Sequence, residues 1–124
     1  MKRGFTLIEL LAVIVILAII ALIATPIILG IINDARDEAK ERTAELVVSS
    51  VELAYSTAFM DDGTEPTLAE VKAQFEMDNA VWSDDLTTIT AENGVSCSVT
   101  AASTLTVDCG DEITTSVTMD LATN

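Results

Sequence analysis

The chain has 124 residues, half of them hydrophobic, and its 20 Asp and Glu residues outweigh 6 Lys and Arg residues to give a formal net charge of -14. This length allows one small domain and one long element, which excludes a large multidomain enzyme. The negative charge repels nucleic-acid phosphates, so we predict no direct binding of nucleic acid. Because the sequence contains no histidine, histidine-based metal sites and His-dependent catalytic triads are excluded.

The N-terminal region combines a basic start with a long apolar run. Lys2 and Arg3 precede a nearly all-aliphatic stretch from Leu10 to Ile32. A helix over the residues from Phe5 to Ile32 would be about 42 Å long, more than the roughly 30 Å of a bilayer's hydrocarbon core. We therefore predict a membrane-spanning helix over residues 5–32 with its basic end in the cytoplasm. A secretory signal has a shorter apolar region, so we expect this one to remain in the mature protein.

Apolar residues continue at helical spacing beyond the predicted span, while acidic and polar residues occupy the other faces. The apolar set is Leu46, Val47, Val51, Ala54, Tyr55, Ala58 and Phe59. Since no Gly or Pro lies between Ile31 and Met60, we predict one helix from about Phe5 to Phe59, amphipathic over residues 33–60. Its weak points are Pro26 and Gly30.

Turn-forming residues end this helix and open a small domain over residues 61–124. Gly63 suits a left-handed helix cap, and Pro66 cannot continue the helical hydrogen bonds. Thr67 followed by Glu70 is a capping-box pattern, which predicts a short helix over about residues 68–76.

The rest of the domain is rich in Val, Ile and Thr, residues that favour β-strands. The predicted strands are Leu86 to Thr90, Val95 to Ala101, Thr104 to Cys109 and Ile113 to Leu121, and the turns are Asn93-Gly94, Ala102-Ser103 and Gly110-Asp111. Three or four antiparallel strands would cover the outer half of the long helix at Val51, Tyr55 and Phe59. The fold class is therefore α+β, a long helix packed by its C-terminal half against a small antiparallel sheet.

Two cysteines, Cys97 and Cys109, lie in the region that would be exported if the N-terminus stays in the cytoplasm. We expect an oxidised pair that spans the hairpin of the second and third predicted strands. The alternative is two reduced, buried thiols in a cytosolic protein.

A single carboxylate, Glu9, lies at the edge of the otherwise uncharged span. An acidic residue at the centre of a bilayer costs about 2.5 to 3.5 kcal/mol, so Glu9 needs a partner or a position near the headgroups. The residues alone leave both possibilities open.

The sequence Gly4-Phe5-Thr6-Leu7-Ile8-Glu9, followed by the long aliphatic run, resembles the class III signal of type IV pilins and their pseudopilin relatives. The resemblance covers residues 1–32 and reaches the rest of the chain only in general form. It implies that a membrane prepilin peptidase removes a leader, residues 1–4, by cutting between Gly4 and Phe5, and then methylates the amino group of Phe5. It also implies that Phe5 packs at a filament axis, where Glu9 neutralises the amino terminus of a neighbouring subunit and sets its register.

Proline in mid-span adds a second expectation. Pro26 cannot donate a backbone hydrogen bond and disfavours helix at Thr25, so a kink or local melting should follow. Filaments of the family it resembles are unwound just before this proline, which implies that about Ala18 to Pro26 is extended or distorted in the polymer. The alternative is an ordinary proline kink.

The resemblance therefore implies a structural subunit of an extracellular filament that serves adhesion, motility or DNA uptake. Its partners would be copies of itself, the prepilin peptidase, the inner-membrane assembly machinery and, before assembly, the cytoplasmic membrane. One alternative is a pseudopilin of a type II secretion system, and another is a single-pass anchored binding domain that never polymerises.

Metal binding and catalysis have weaker support. Some pseudopilins bind calcium at acidic residues near turns. In this chain the acidic residues in or near predicted turns are Asp84, Asp85, Asp108, Asp111, Glu112 and Asp120. Their spacing matches no EF-hand loop, so we expect a solvated acidic surface, no metal and no cofactor. The sequence has no nucleophile-and-base pattern and no glycine-rich phosphate loop, so we expect no enzymatic activity.

Overall fold

A computed structural model of the chain describes residues 3–110 and 117–122. They form helices α1 (Leu7–Asp62) and α2 (Leu68–Gln74) and strands β1 (Ala80–Trp82), β2 (Thr88–Ala91), β3 (Ser96–Ala101), β4 (Thr104–Asp108) and β5 (Val117–Asp120). The predicted α+β class is confirmed. By its internal contacts the chain divides into two compact units, Met1–Arg36 and Asp37–Asn124, and each is described by itself.

The first unit contains the N-terminal part of α1. The helix begins at Leu7, two residues after the predicted start, and residues 3–6 lie outside it. The large aliphatic side chains of this part, from Leu7 to Ile32, are all exposed. Among residues 3–36, nothing therefore covers this apolar surface.

In the second unit, the strands form an antiparallel sheet in the order β1-β2-β3-β4-β5, so each strand pairs with the next one along the chain. The register places Ile89 opposite Cys97, Val99 opposite Val107 and Leu105 opposite Met119. The described residues form five strands, where three or four were predicted. The missed strand is β1, which has only three residues and too little alternation to be recognised. Of the last predicted strand, residues 113–116 lie outside the described part of the chain.

Glycines with positive φ lie where the sequence predicted turns. Gly94 (φ 89°) lies between β2 and β3, and Gly110 (φ 68°) follows β4. Such angles suit glycine because it has no Cβ. The neighbour of Gly110 in its predicted turn, Asp111, lies outside the described residues.

One hydrophobic core joins the helix to the sheet. Strands β3 and β4 alternate buried and outward-facing residues, which places Cys97, Val99, Leu105 and Val107 on the inner face. The buried residues of α1 recur every three or four positions and are Ala44, Val47, Val48, Val51, Ala54 and Ala58. Burying a Val or Leu side chain contributes about 1.5 to 3 kcal/mol, so these residues supply much of the domain's stability.

The buried stripe of α1 differs from the predicted apolar face at both ends of that face. Val51 is fully buried and Tyr55 is half-buried, but Phe59 is 43% exposed and Leu46 is 58% exposed. Ala58 is buried where Phe59 was expected. Successive helical residues differ by about 100°, so the arc that contains Val51, Ala54 and Ala58 leaves Phe59 beyond its edge.

Both ends of the connection between the helices follow local capping rules. α1 extends three residues beyond the predicted end, and Gly63 (φ 74°) donates its N–H to the carbonyl of Phe59 at 2.9 Å. At α2, the Thr67 N–H and hydroxyl donate to Oε2 of Glu70, each at 2.7 Å, and the Glu70 N–H donates to Thr67 Oγ1 at 3.4 Å. This is the predicted capping box.

A disulfide joins Cys97 of β3 to Cys109, which directly follows β4. It crosses the β3–β4 hairpin, and both residues are buried. The Sγ atom of Cys109 lies 3.9 Å from the carbonyl oxygen of Ala44. The cross-link therefore lies within the core, against α1.

Three exposed carboxyls of the second unit have pKa values below their ordinary values. Hydroxyl and backbone hydrogen bonds from Thr64 lower the pKa of Asp62, and the backbone and hydroxyl hydrogen bonds from Thr67 lower that of Glu70. Hydrogen bonds from Ser83 and Thr87 lower the pKa of Asp85. A carboxyl with a lowered folded pKa stabilises the fold above its unfolded pKa, and this contribution is lost as pH falls through the folded pKa.

We therefore predict that the free energy of unfolding is steady from neutral pH to about pH 5. It should decrease as the pH falls below 4.5 and 3.8, the ordinary pKa values of Glu and Asp. Thr67→Val should lower stability at pH 7 and reduce the acid-induced loss, because Glu70 then has fewer donors. Urea unfolding of the full chain in detergent micelles, followed by Trp82 fluorescence, measures both effects. Thr100→Val, an exposed change on β3, is the control, and equal pH slopes for wild type and Thr67→Val would contradict the prediction.

Candidate functional site

The candidate site is the segment from Arg3 to Glu9, where the chain enters α1. Residues 3–6 are non-helical and exposed, and Phe5 is 93% exposed. The peptide bond between Gly4 and Phe5 therefore lies in exposed, non-helical backbone. Met1 and Lys2, the rest of the predicted leader, lie outside the described residues.

Glycine at position 4 is not required by the chain itself. A Cβ added at Gly4 would meet no atom within 4 Å, and the residue has no positive φ. Any requirement for glycine here would therefore come from a molecule that binds the segment.

Thr6 and Glu9 form a set of three hydrogen bonds at the start of α1. The N–H of Thr6 donates to Oε2 of Glu9 at 2.9 Å, and the Thr6 hydroxyl donates to the same oxygen at 3.0 Å. In return, the N–H of Glu9 donates to Oγ1 of Thr6 at 3.4 Å. Thr6 and Glu9 thus close a capping box that satisfies N–H groups left free by the first turn of the helix.

The apolar surface of α1 follows directly after this box. Among the described residues, α1 is the one helix long and apolar enough to cross a membrane. Its aliphatic side chains between Leu7 and Ile32 are exposed, and a contiguous apolar surface of this kind marks contact with a membrane or another protein.

Comparison with known families identifies this segment. Residues 1–25 match the family model described as the prokaryotic N-terminal methylation motif. The chain carries the class III signal of type IV pilins and pseudopilins. No curated protein matches the chain.

The class III signal ends close to Thr25 and Pro26, where the sequence predicted a weak point. Within the single chain α1 is assigned without interruption through both residues, and the Thr25 hydroxyl donates to the carbonyl of Ala21 at 2.7 Å. Pro26 has no N–H to donate to the carbonyl of Leu22. Gly30, the other predicted weak point, also lies within α1, and a Cβ added there would meet no atom within 4 Å. The expected distortion concerns the polymer and stays a prediction.

Three of the six acidic candidates of the second unit have partners among the described residues. Asp84 lies 3.4 Å from Nζ of Lys72, Asp85 accepts from Ser83 and Thr87, and Asp108 accepts the N–H of Gly110. Asp111 and Glu112 lie outside the described residues. Among residues 3–110 and 117–122, no three His, Cys, Asp or Glu side chains are grouped closely enough to hold a metal ion.

The role of Thr6 was missed in the sequence. The Thr-x-x-Glu pattern that correctly predicted the cap of α2 also occurs at Thr6 and Glu9, directly before an apolar run. That signal was present, but Glu9 was interpreted through the cost of a charge in lipid and through pairing with a neighbouring subunit, and its role at the start of its own helix was not considered.

Proposed function

We propose that the chain is the structural subunit of an extracellular filament of the type IV pilus kind, which polymerises through its N-terminal helix. The observation that supports this most is the class III signal joined to an apolar helix surface that the chain leaves uncovered. A helix of this kind needs lipid or other helices around it, and the filament supplies the second environment.

Processing would begin at the exposed backbone before α1. A prepilin peptidase in the membrane would cut between Gly4 and Phe5 and methylate the new amino group of Phe5. The cut removes Lys2 and Arg3, two of the six basic residues, and leaves the acidic residues in place. The mature subunit then lacks the basic residues that favour retention of its N-terminus in the cytoplasm.

Assembly would exchange contacts with lipid for contacts with copies of the same helix. Because lipid tails are as apolar as Leu and Ile side chains, this exchange gains little from the hydrophobic effect. The energy and direction of assembly would therefore come from machinery in the inner membrane. Glu9 would accept the charged amino terminus of Phe5 from a neighbouring subunit, since two opposite charges attract strongly where water is excluded.

The second unit would form the filament's outer surface, serving adhesion, motility or DNA uptake. Its disulfide suits an exported protein, because disulfides persist in oxidising compartments. A type II secretion pseudopilin carries the same signal, so the length of the fibres distinguishes the two functions. A single-pass anchored domain would form no fibres at all.

The proposal predicts that fibres contain a subunit that begins at Phe5 and carries one methyl group on its amino nitrogen. Intact-mass and N-terminal peptide spectra of surface fibres measure this directly. Gly4→Leu should leave the leader uncut, although the chain itself has room for the side chain. Gly30→Ala is the matched glycine change and should be processed normally. Fibres whose subunits still begin at Met1 would contradict the proposal.

A second prediction concerns the charge of Glu9. Glu9→Ala should reduce filament yield by roughly tenfold or more, because the neighbour's amino group would be left unpaired in the filament core. The fold of the second unit should not change, since Glu9 belongs to the first unit. Glu52→Ala, which removes an exposed carboxylate from the same helix, is the control and should assemble. Normal fibres from Glu9→Ala would show that Glu9 does not pair with a neighbour.

A third prediction concerns the helix around Pro26. A map of the filament should show the α-helix interrupted between about Ala18 and Pro26, where Leu22 lacks a helical donor. In filaments of Pro26→Ala the restored N–H should let the helix continue through this stretch. A straight, continuous helix through Thr25 in the wild-type filament would exclude melting.

A further inference from the structure

The Thr6–Glu9 box gives the two oxygens of one carboxylate different surroundings. Both donors of Thr6 reach the same oxygen, Oε2 of Glu9, at 2.9 and 3.0 Å. No described residue donates a hydrogen bond to the other oxygen, Oε1, and no described basic residue forms a salt bridge with Glu9. Among residues 3–110 and 117–122, one oxygen therefore has donors from Thr6 and the other has no donor.

The same arrangement occurs a second time in the chain, in different surroundings. At α2, Thr67 donates twice to Oε2 of Glu70 at 2.7 Å, and the Glu70 N–H returns to Thr67 Oγ1 at 3.4 Å. The first box precedes the exposed apolar helix, whereas the second lies within the folded domain. Since both have the same three bonds, the Thr-x-x-Glu sequence builds the box locally and needs no support from the rest of the fold.

We propose that Thr6 is a positioning residue, which holds the Glu9 carboxylate on its own helix before assembly and presents the open oxygen to the amino terminus of an incoming subunit. This inference rests on the proposed function, because it presumes that Glu9 pairs with a neighbour. Before assembly, the two donors of Thr6 and the positive end of the helix dipole stabilise the Glu9 carboxylate at the edge of the membrane. Pairing then needs no rearrangement of Glu9, because Oε1 is already free.

The cut between Gly4 and Phe5 leaves the box intact. Thr6 keeps its N–H, since the peptide bond between Phe5 and Thr6 survives processing. The bonds between Thr6 and Glu9 can therefore be studied in the full chain with its leader.

Three substitutions distinguish the effect of losing the Thr6–Glu9 capping box from the effect of losing the negative charge of Glu9. Thr6→Val removes the hydroxyl at nearly constant shape and keeps the charge of Glu9. Thr6→Ser keeps the hydroxyl, so it should restore the behaviour of the wild type. Glu9→Gln keeps a side chain that can close a capping box but removes the negative charge.

The test measures backbone amide exchange of the full chain, leader included, in lipid bicelles by NMR. We expect the Glu9 amide to exchange roughly fivefold faster in Thr6→Val, the effect of losing a typical helix N-cap, while Thr6→Ser and Glu9→Gln stay close to the wild type. The Glu70 amide is the internal reference and should not change. Thr67→Val should instead accelerate Glu70 and leave residue 9 unaffected.

Filament yield from cells gives the second readout. Thr6→Val should lower the yield severalfold and Thr6→Ser should restore it. Wild-type exchange of the Glu9 amide in Thr6→Val, or wild-type filament yield from a variant whose box is shown to be open, would overturn the positioning role. Normal filaments from Glu9→Gln would instead contradict the charge pairing in the proposed function. In that case the amide exchange rates would still show whether Thr6 holds residue 9.

Discussion

The exposed aliphatic surface of α1 between Leu7 and Ile32 is the constraint on which the rest of the molecule depends. No side chain in the described part of its own unit covers that surface, so it requires lipid or other apolar helices around it. A carboxylate placed at the start of such a helix needs donors nearby, and Thr6 provides them. The segment that carries the class III signal thus combines exposed non-helical backbone, a capped helix start and an exposed apolar surface.

The two parts of α1 are stabilised in different ways although they form one helix. Before residue 33 the aliphatic side chains surround the helix, which suits an environment that is apolar on every side. After residue 37 the buried residues are confined to one stripe that includes Ala44, Val51 and Ala54, against which the sheet packs. Within this stripe, the carbonyl oxygen of Ala44 lies 3.9 Å from Sγ of Cys109, so the disulfide lies against the helix.

Much of the fold could be predicted because its signals are local. The capping box at Thr67, the turn at Gly63 and the strands β3 and β4 each follow from a few neighbouring residues. Strand β1 could not be predicted, since three residues show no reliable alternation and its placement depends on pairing with β2. The exposure of Phe59 was also missed, because the width of the buried arc on α1 is set by what packs against it rather than by helical spacing.

The Thr6–Glu9 box was hidden for a different reason. A single acid beside an apolar run, such as Glu9, suggests a partner from another molecule. That interpretation overlooks the donors at the start of the helix to which Glu9 belongs. The first turn of any helix has free N–H groups, so the nearest donors to Glu9 are those of its own chain. In the proposed filament, a partner from another subunit would therefore meet a carboxylate that already has donors on its own helix, and it would add a charge to an ordered site. The acid would then serve helix start and subunit contact together, through different oxygens of one side chain.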